Sequence, residues 1–257
     1  TQIVEKSVHE ISLKAEELFH LGSFPVTNAL LLSIVSLLVL TIIGLFIKRG
    51  LKMIPGKLQS IFEVLMEQIL KLMDSVLGDR HTSEKYLPLI ATIFLFVMTS
   101  NWLGLFPFVG PFGLNVEHGG EHAFIPLFRS PAADLNFTMG LAIVALISIN
   151  LLGVFAIGFK KHFGKFFNVS KPFPVISFVG ILELLSEFVK IVSFSFRLFG
   201  NVFAGEVLLL IVGFLVPYIV PLPFLFLEVF VGFIQAFIFS MLTLVFVAMA
   251  TAKNEGH

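Results

Sequence analysis

The chain has 257 residues, of which 57% are hydrophobic and only 13% charged, with mean hydropathy +0.99 and zero net charge. Soluble domains are about 45–50% apolar and roughly 25% charged, so this is the composition of a membrane protein, and the even charge balance offers no basic face for nucleic acid. The chain has no cysteine, which excludes disulfides, thiol catalysis and Cys-ligated zinc.

Residues 1–28 are mixed polar and do not resemble a cleavable signal peptide. Residues 29–47 form a 19-residue run without a charge, close to the ~20 residues that a helix needs to cross a bilayer core. The loop "KRGLKMIPGK" follows, with four basic residues and no acid. Over 58–77, Leu58, Ile61, Phe62, Leu65, Ile69, Leu72, Met73 and Val76 recur at helical spacing. Glu63, Glu67, Lys71 and Asp74 occupy the other face. That pattern predicts an amphipathic helix lying in the membrane interface.

Spans are predicted over 86–109 and 135–159. Between them, residues 110–134 hold Glu117, Glu121, Asp134 and a single Arg129. In "EHGGEH", His118 and His122 have i,i+4 spacing, but two glycines intervene, and a flexible loop is expected there rather than a metal site. After the third span, "KKHFGKFFNVSKP" carries four lysines and no acid. Positive loops mark the cytoplasmic side, so the N-terminus is expected outside and the C-terminus inside.

Residues 175–216 lie between Pro174 and Pro217, and as one helix would be about 63 Å long, twice a bilayer core of ~30 Å. No Pro or Asn-Gly turn interrupts them, so one long tilted helix is expected, with room for a kink near Gly200–Gly205. A last tilted helix is expected over 224–250. The predicted fold class is therefore an all-α polytopic membrane protein. It has five membrane-embedded helices and one interfacial amphipathic helix, in a single membrane domain over 1–257. There is no phosphate-binding Gly-rich loop and no Ser/His/Asp pattern, so no catalytic site, metal or cofactor is expected, and the chain alone cannot hydrolyse a nucleotide.

The last two apolar runs contain Glu183, Glu187, Lys190, Arg197, Asn201, Glu206, Glu228 and Gln235. Each charge at membrane depth costs at least ~2.5 kcal/mol, and such residues mark ion pathways by default. Glu183, Glu187, Lys190, Arg197 and Asn201 follow steps of 4, 3, 7 and 4 and form one stripe. Glu206, nine residues past Arg197, is about 180° around the helix from it. Glu183 and Glu187 then lie toward the inside, Glu206 and Glu228 toward the outside, and Arg197 between them. Blander readings exist for each. Arg197 could pair with Glu228 or Glu187. Glu183, Glu187 and Lys190 could be a solvated helix end. Asn201 and Gln235 could be interhelical hydrogen bonders, and Asp134 could cap a helix.

The stretch "SFRLFGNVFAGE" followed by "GFIQAFIFSMLTLVFVAMA" resembles subunit a of bacterial F-type ATP synthases. So do "NWLGLFP" and "SPAADLNFT", and the resemblance extends over nearly the whole chain. It implies a proton-translocating stator facing a rotating ring of c subunits, held by b-type peripheral stalk subunits in a bacterial inner membrane. It also implies that Arg197 separates two offset half-channels. Asn201, Glu206, Glu228 and Gln235 are then assigned to the outer path and the subunit interface, Glu183 to the inner path, and Asp134 counts among the proton-translocating residues. Some members pair a carboxylate with a histidine at the two outer positions; here both are carboxylates. The rival reading of the same charges is a secondary ion transporter or antiporter, which usually shows internal repeats and broken helices. The sequence shows neither.

Overall fold

A computed structural model describes residues 15–22, 24–107, 109, 112–118, 121–159, 173–217 and 219–252. The lysine-rich loop 160–171 and the last five residues lie outside them. In chain order the elements are β1 (Glu17–Leu21), β2 (Phe24–Thr27), α1 (Asn28–Arg49), α2 (Lys57–Leu77), α3 (Arg80–Gly104), β3 (Gly113–His118), β4 (Glu121–Pro126), a single 3-10 turn (Pro131–Ala133), α4 (Leu135–Ile157), α5 (Phe173–Leu215) and α6 (Pro221–Thr251). All of these helices except α2 are long and apolar enough to cross a membrane. The expected all-α polytopic architecture is thus present.

Two features differ from the sequence reading. The two segments expected outside the membrane carry antiparallel hairpins, β1–β2 and β3–β4. The second pairs Glu117 with His122 and His118 with Glu121, so the residues on both sides of the two glycines, expected as a flexible loop, form a strand pair. Hairpin pairing satisfies backbone groups locally, which the acidic, Gly-rich composition did not announce.

Helix boundaries follow from short polar side chains. Thr27 accepts a hydrogen bond from the Leu30 amide at 3.2 Å and starts α1. Asp79 accepts from Thr82 at 2.9 Å and starts α3, and Asp134 accepts from Asn136 at 3.0 Å and starts α4. Each carboxylate or hydroxyl satisfies an amide that the first helical turn leaves orphaned. Gly78, at φ +74°, ends α2 in the left-handed region and turns the chain into α3 within two residues.

The core lies where α3, α4, α5 and α6 meet, with α2 packed on α3. Met73, Ile90, Val97, Ala145, Leu198, Ala236 and Leu244 are buried there. Phe194 of α5 packs against Phe239 and Phe246 of α6 with ring centroids 4.9 and 5.6 Å away. In the same layer the Thr138 and Ser195 hydroxyls share a hydrogen bond at 3.1 Å, joining α4 to α5. The helix α5 is continuous for 43 residues, about 65 Å, which cannot stand upright in a hydrocarbon core of ~30 Å. Leu58, Ile61 and Val64 on α2 remain exposed in the isolated chain, as an interfacial helix requires.

At the α2–α3 corner, Arg80 bridges Glu67 at 2.8 Å, Asp74 at 3.1 Å and Glu84 at 3.2 Å. The Glu67 carboxyl is held below its usual range by its hydrogen bond from Arg80. Asp74 is lowered chiefly by a hydrogen bond from Ser83 and then by Arg80. Carboxylates depressed in the folded state stabilise it above their ordinary values, 4.5 and 3.8, and lose that contribution as pH falls through the depressed ones. Arg80→Ala should therefore lower the thermal midpoint of the detergent-solubilised chain at neutral pH, and the gap from the native chain should close on acidification through this range. Unfolding followed by circular dichroism across pH checks this; a gap constant down to strongly acidic pH contradicts it.

Candidate functional site

The ionisable residues of the last two helices are divided by the fold into separate groups. One group surrounds a cavity of about 410 Å3 bounded by α5, α6, the end of α3 and the segment after β4. Its polar wall consists of Glu16, Asn101, Arg129, Ser130, Glu206 and Glu228.

The sequence positions Glu228 by glycine. A Cβ built on Gly205 would collide with the Glu228 carboxyl group, so that carboxyl group occupies the space a side chain at position 205 would fill. The end of α3 clamps the same region of α6. Asn101 Nδ2 donates to the Gly232 carbonyl at 3.0 Å, and Trp102 Nε1 donates to the Val229 carbonyl at 3.0 Å. Gly104 lies against Ser130, where a Cβ would approach the serine hydroxyl to 2.6 Å. Asn101 and Gly104 of "NWLG" and Arg129 and Ser130 of "RSP" thus line the cavity together, where Glu228 is 9% exposed.

Arg129 is the residue that sequence reasoning passed over. It is 8% exposed, and its Nε lies 3.5 Å from Glu206 Oε1. The available signal was its solitude: it is the one basic residue in the acidic stretch 110–134, directly before "SPAAD". A buried guanidinium beside a carboxylate stays charged, so Arg129 balances Glu206 electrostatically rather than relaying protons. Glu16, outside every sequence expectation, also reaches the wall.

The remaining expected site residues lie elsewhere. Arg197 is nine residues from Glu206 on α5, about 13.5 Å along the axis and half a turn round, and is not in the cavity wall. It is half-buried beside Phe194, Leu198 and Phe199, and its Nη2 donates to Ser193 Oγ at 3.1 Å. The ion pair with Glu228 or Glu187 considered for it is not formed. Asn201 is exposed, so within this chain it is no interhelical hydrogen bonder. Gln235 is 8% exposed, two turns beyond Glu228 on α6. Asp134 serves as the α4 cap described above.

Toward the other end of α5, Glu187 and Lys190 form an ion pair at 2.8 Å with side chains only 12% and 19% exposed. The Lys190 ammonium sits 4.8 Å from the centre of the Phe246 ring on α6. This corrects the solvated-end reading for these two residues: the pair is enclosed because α6 packs over it. Glu183, one turn earlier, is half-buried.

Five apolar helices carrying carboxylates and a guanidinium at membrane depth, with a polar cavity on one side of the arginine, define a polytopic membrane protein of the ion-translocating class. The family model described as ATP synthase A chain matches residues 29–248. An ATP synthase subunit a from Campylobacter jejuni is 36% identical over 220 residues, covering 86% of this chain and 88% of that protein. One from Helicobacter acinonychis is 35% identical, with 93% and 92% covered, and one from Campylobacter fetus is 32% identical, with 96% and 99% covered. The chain belongs to the ATP synthase A chain family. Its role is that of the proton-translocating stator subunit, and the antiporter reading of the same charges is not favoured.

Gly205→Ala tests the cavity geometry. In a helix the substitution favours folding by up to ~1 kcal/mol, so a loss of function would not come from helix propensity. The added methyl group should displace the Glu228 carboxyl group and reduce ATP-driven proton pumping in membrane vesicles while leaving the amount of assembled complex unchanged. Combining it with Glu228→Asp, which withdraws the carboxyl group by one methylene, should recover part of the pumping. Native pumping by Gly205→Ala alone contradicts the close approach.

Proposed function

We propose that this chain provides two offset aqueous paths to the carboxylates of a rotating c ring, with Arg197 between them. The observation that carries this reading is the placement of Glu206 and Glu228 around one cavity, with Arg197 half a turn away on the same unbroken helix. In this reading the cavity is the outer path. Glu206 and Glu228 hand protons inward, Gln235 and Asn201 border the route to the ring, and Asp134 fixes the start of α4 beside it. Glu183 serves the inner path.

The ring lies against the open face of α5. Support comes from Gly200, where an added Cβ would meet nothing within 4 Å, and from the exposed Phe196 and Asn201 on either side of Arg197. A ring carboxylate reaching Arg197 is drawn into its ionised form, because the guanidinium remains charged throughout. The same fixed charge repels a proton hopping directly between the paths. The membrane potential, worth about 2.3 kcal/mol per charge per 100 mV, is then spent on rotation rather than leakage. The partners are the c ring, b-type stalk subunits, the rest of the complex and the lipid bilayer. The location is a bacterial inner membrane, with the N-terminus outside and the C-terminus cytoplasmic, as the two lysine-rich loops on one side suggest.

Arg197→Ala should abolish ATP-driven pumping and proton-driven synthesis, while passive proton flux through chain and ring persists or rises. Arg197→Lys should also fail in coupled transport, since an ammonium lacks the planar fork and loses its proton when desolvated. Reconstitution with ring and head in vesicles, measuring pumping and passive flux separately, decides it. Near-native pumping by Arg197→Ala, or a membrane sealed to both fluxes, contradicts the gate.

A further inference from the structure

The outer cavity has a wall that the membrane helices do not supply. The chain just before β1 brings Glu16 to it, beside Arg129, Glu206 and Glu228. A latch at the head of α1 holds Glu16 in place. The Asn28 amide donates to the Glu16 carbonyl at 3.1 Å. The fully buried Asn28 side chain donates through Nδ2 to Glu16 Oε2 at 3.5 Å and to the Pro126 carbonyl at 3.3 Å. One asparagine thereby ties the chain just before β1 to the end of β4, and so to the segment that carries Arg129. The side chain of Glu16 is half-buried rather than spread on the surface.

We propose that Glu16 is the mouth carboxylate of the outer path, a further residue of proton uptake contributed by the segment outside the membrane. The inference rests on the cavity being that path. A carboxylate between bulk water and Glu206 does two things. It concentrates protons at a narrow, low-dielectric mouth, and it accepts a proton that can pass along cavity water to the inner carboxylates. Charged clefts raise local counter-ion concentration and capture rates by about 10–10³-fold. The groups facing Glu16 across the cavity are Arg129 and Ser130 from the segment before the 3-10 turn, Glu206 from α5, Glu228 from α6 and Asn101 from α3. On the adjoining strand β1 the neighbours are Glu17 and His20, which pair with each other at 3.5 Å. Arg129 offsets one of the three cavity carboxylates, so removing Glu16 takes a large share of the remaining negative charge from the mouth.

The experiment measures ATP synthesis by the complete reconstituted complex at fixed membrane potential, as a function of pH on the side the cavity faces. Glu16→Gln should lower the rate on the order of tenfold where protons are scarce, the low end of the range for charged clefts, and should approach the native rate at acidic pH. Glu16→Asp should restore the native profile. Because the native chain has no cysteine, Glu16→Cys can also be modified after assembly, which removes folding from the question. An anionic thiosulfonate should return the profile toward native, and a cationic one should depress it further. Superimposable profiles for Glu16→Gln and native, an equal loss at every pH, or the same effect from both reagents overturns the proposal. A Glu206→Gln, Glu228→Gln double variant measured alongside separates the two levels. If it synthesises normally, the cavity is not the path; if it is blocked while Glu16→Gln is native, only the mouth assignment falls.

Discussion

The cavity depends on one close fit, that of the Glu228 carboxyl group of α6 against Gly205 of α5. An ionisable side chain in a bilayer is tolerated only where protein or water encloses it. Glu228 meets that condition because the helix opposite carries hydrogen where any other residue carries carbon. The rest of the cavity follows from that contact. The end of α3 reaches α6 just beyond Glu228, where Asn101 and Trp102 donate to the Gly232 and Val229 backbone carbonyls rather than to side chains. Carbonyls of a helix are fixed in space, so these bonds set the helix positions without competing for the carboxylate.

The second constraint is the length of α5. Placing Arg197 and Glu206 on one rigid helix fixes both their separation along the axis and their opposite facing. Two helices joined by a turn would let that relation drift. A single helix of about 65 Å has no such freedom, and its inclination lets one element present groups at several membrane depths. The ion pair of Glu187 and Lys190, covered by Phe246, pins the other end of the same helix to α6. Both ends of the polar stretch are therefore anchored to one neighbour.

Much of this was legible in the sequence. Apolar run lengths located the membrane helices. The unbroken stretch after Pro174 implies one long helix, and the nine-residue step from Arg197 to Glu206 places them on opposite faces. What was not legible is what depends on contacts between distant segments. Arg129 read as a loop residue because its burial is created by Glu206, 77 residues further on. Glu16 read as tail because its place is set by Asn28 and Pro126. The hairpins escaped notice because their strands are only four to six residues long, too short for an alternating pattern to stand out. The enclosure of Lys190 was invisible for the same reason as that of Arg129: Phe246 is distant in sequence.

The two arginines of the polar region show how the same group takes opposite parts. Arg129 is enclosed, and a carboxylate of its own chain lies beside it, so its charge is largely balanced within the subunit. Arg197 sits at the edge of the packed face with a serine hydroxyl one turn away as its hydrogen-bond acceptor. A guanidinium has five N–H donors, and one hydroxyl satisfies one of them. The remaining charge and donors find no partner among the described residues at this half-buried position. In the proposed mechanism that is where a ring carboxylate arrives, and the attraction must be strong enough to ionise it but must not become permanent. A fixed internal partner such as Glu206 would neutralise Arg197 and remove its hold on a passing carboxylate. Keeping the cavity carboxylates half a turn away, with their own arginine, leaves the charge of Arg197 available at each step of the ring.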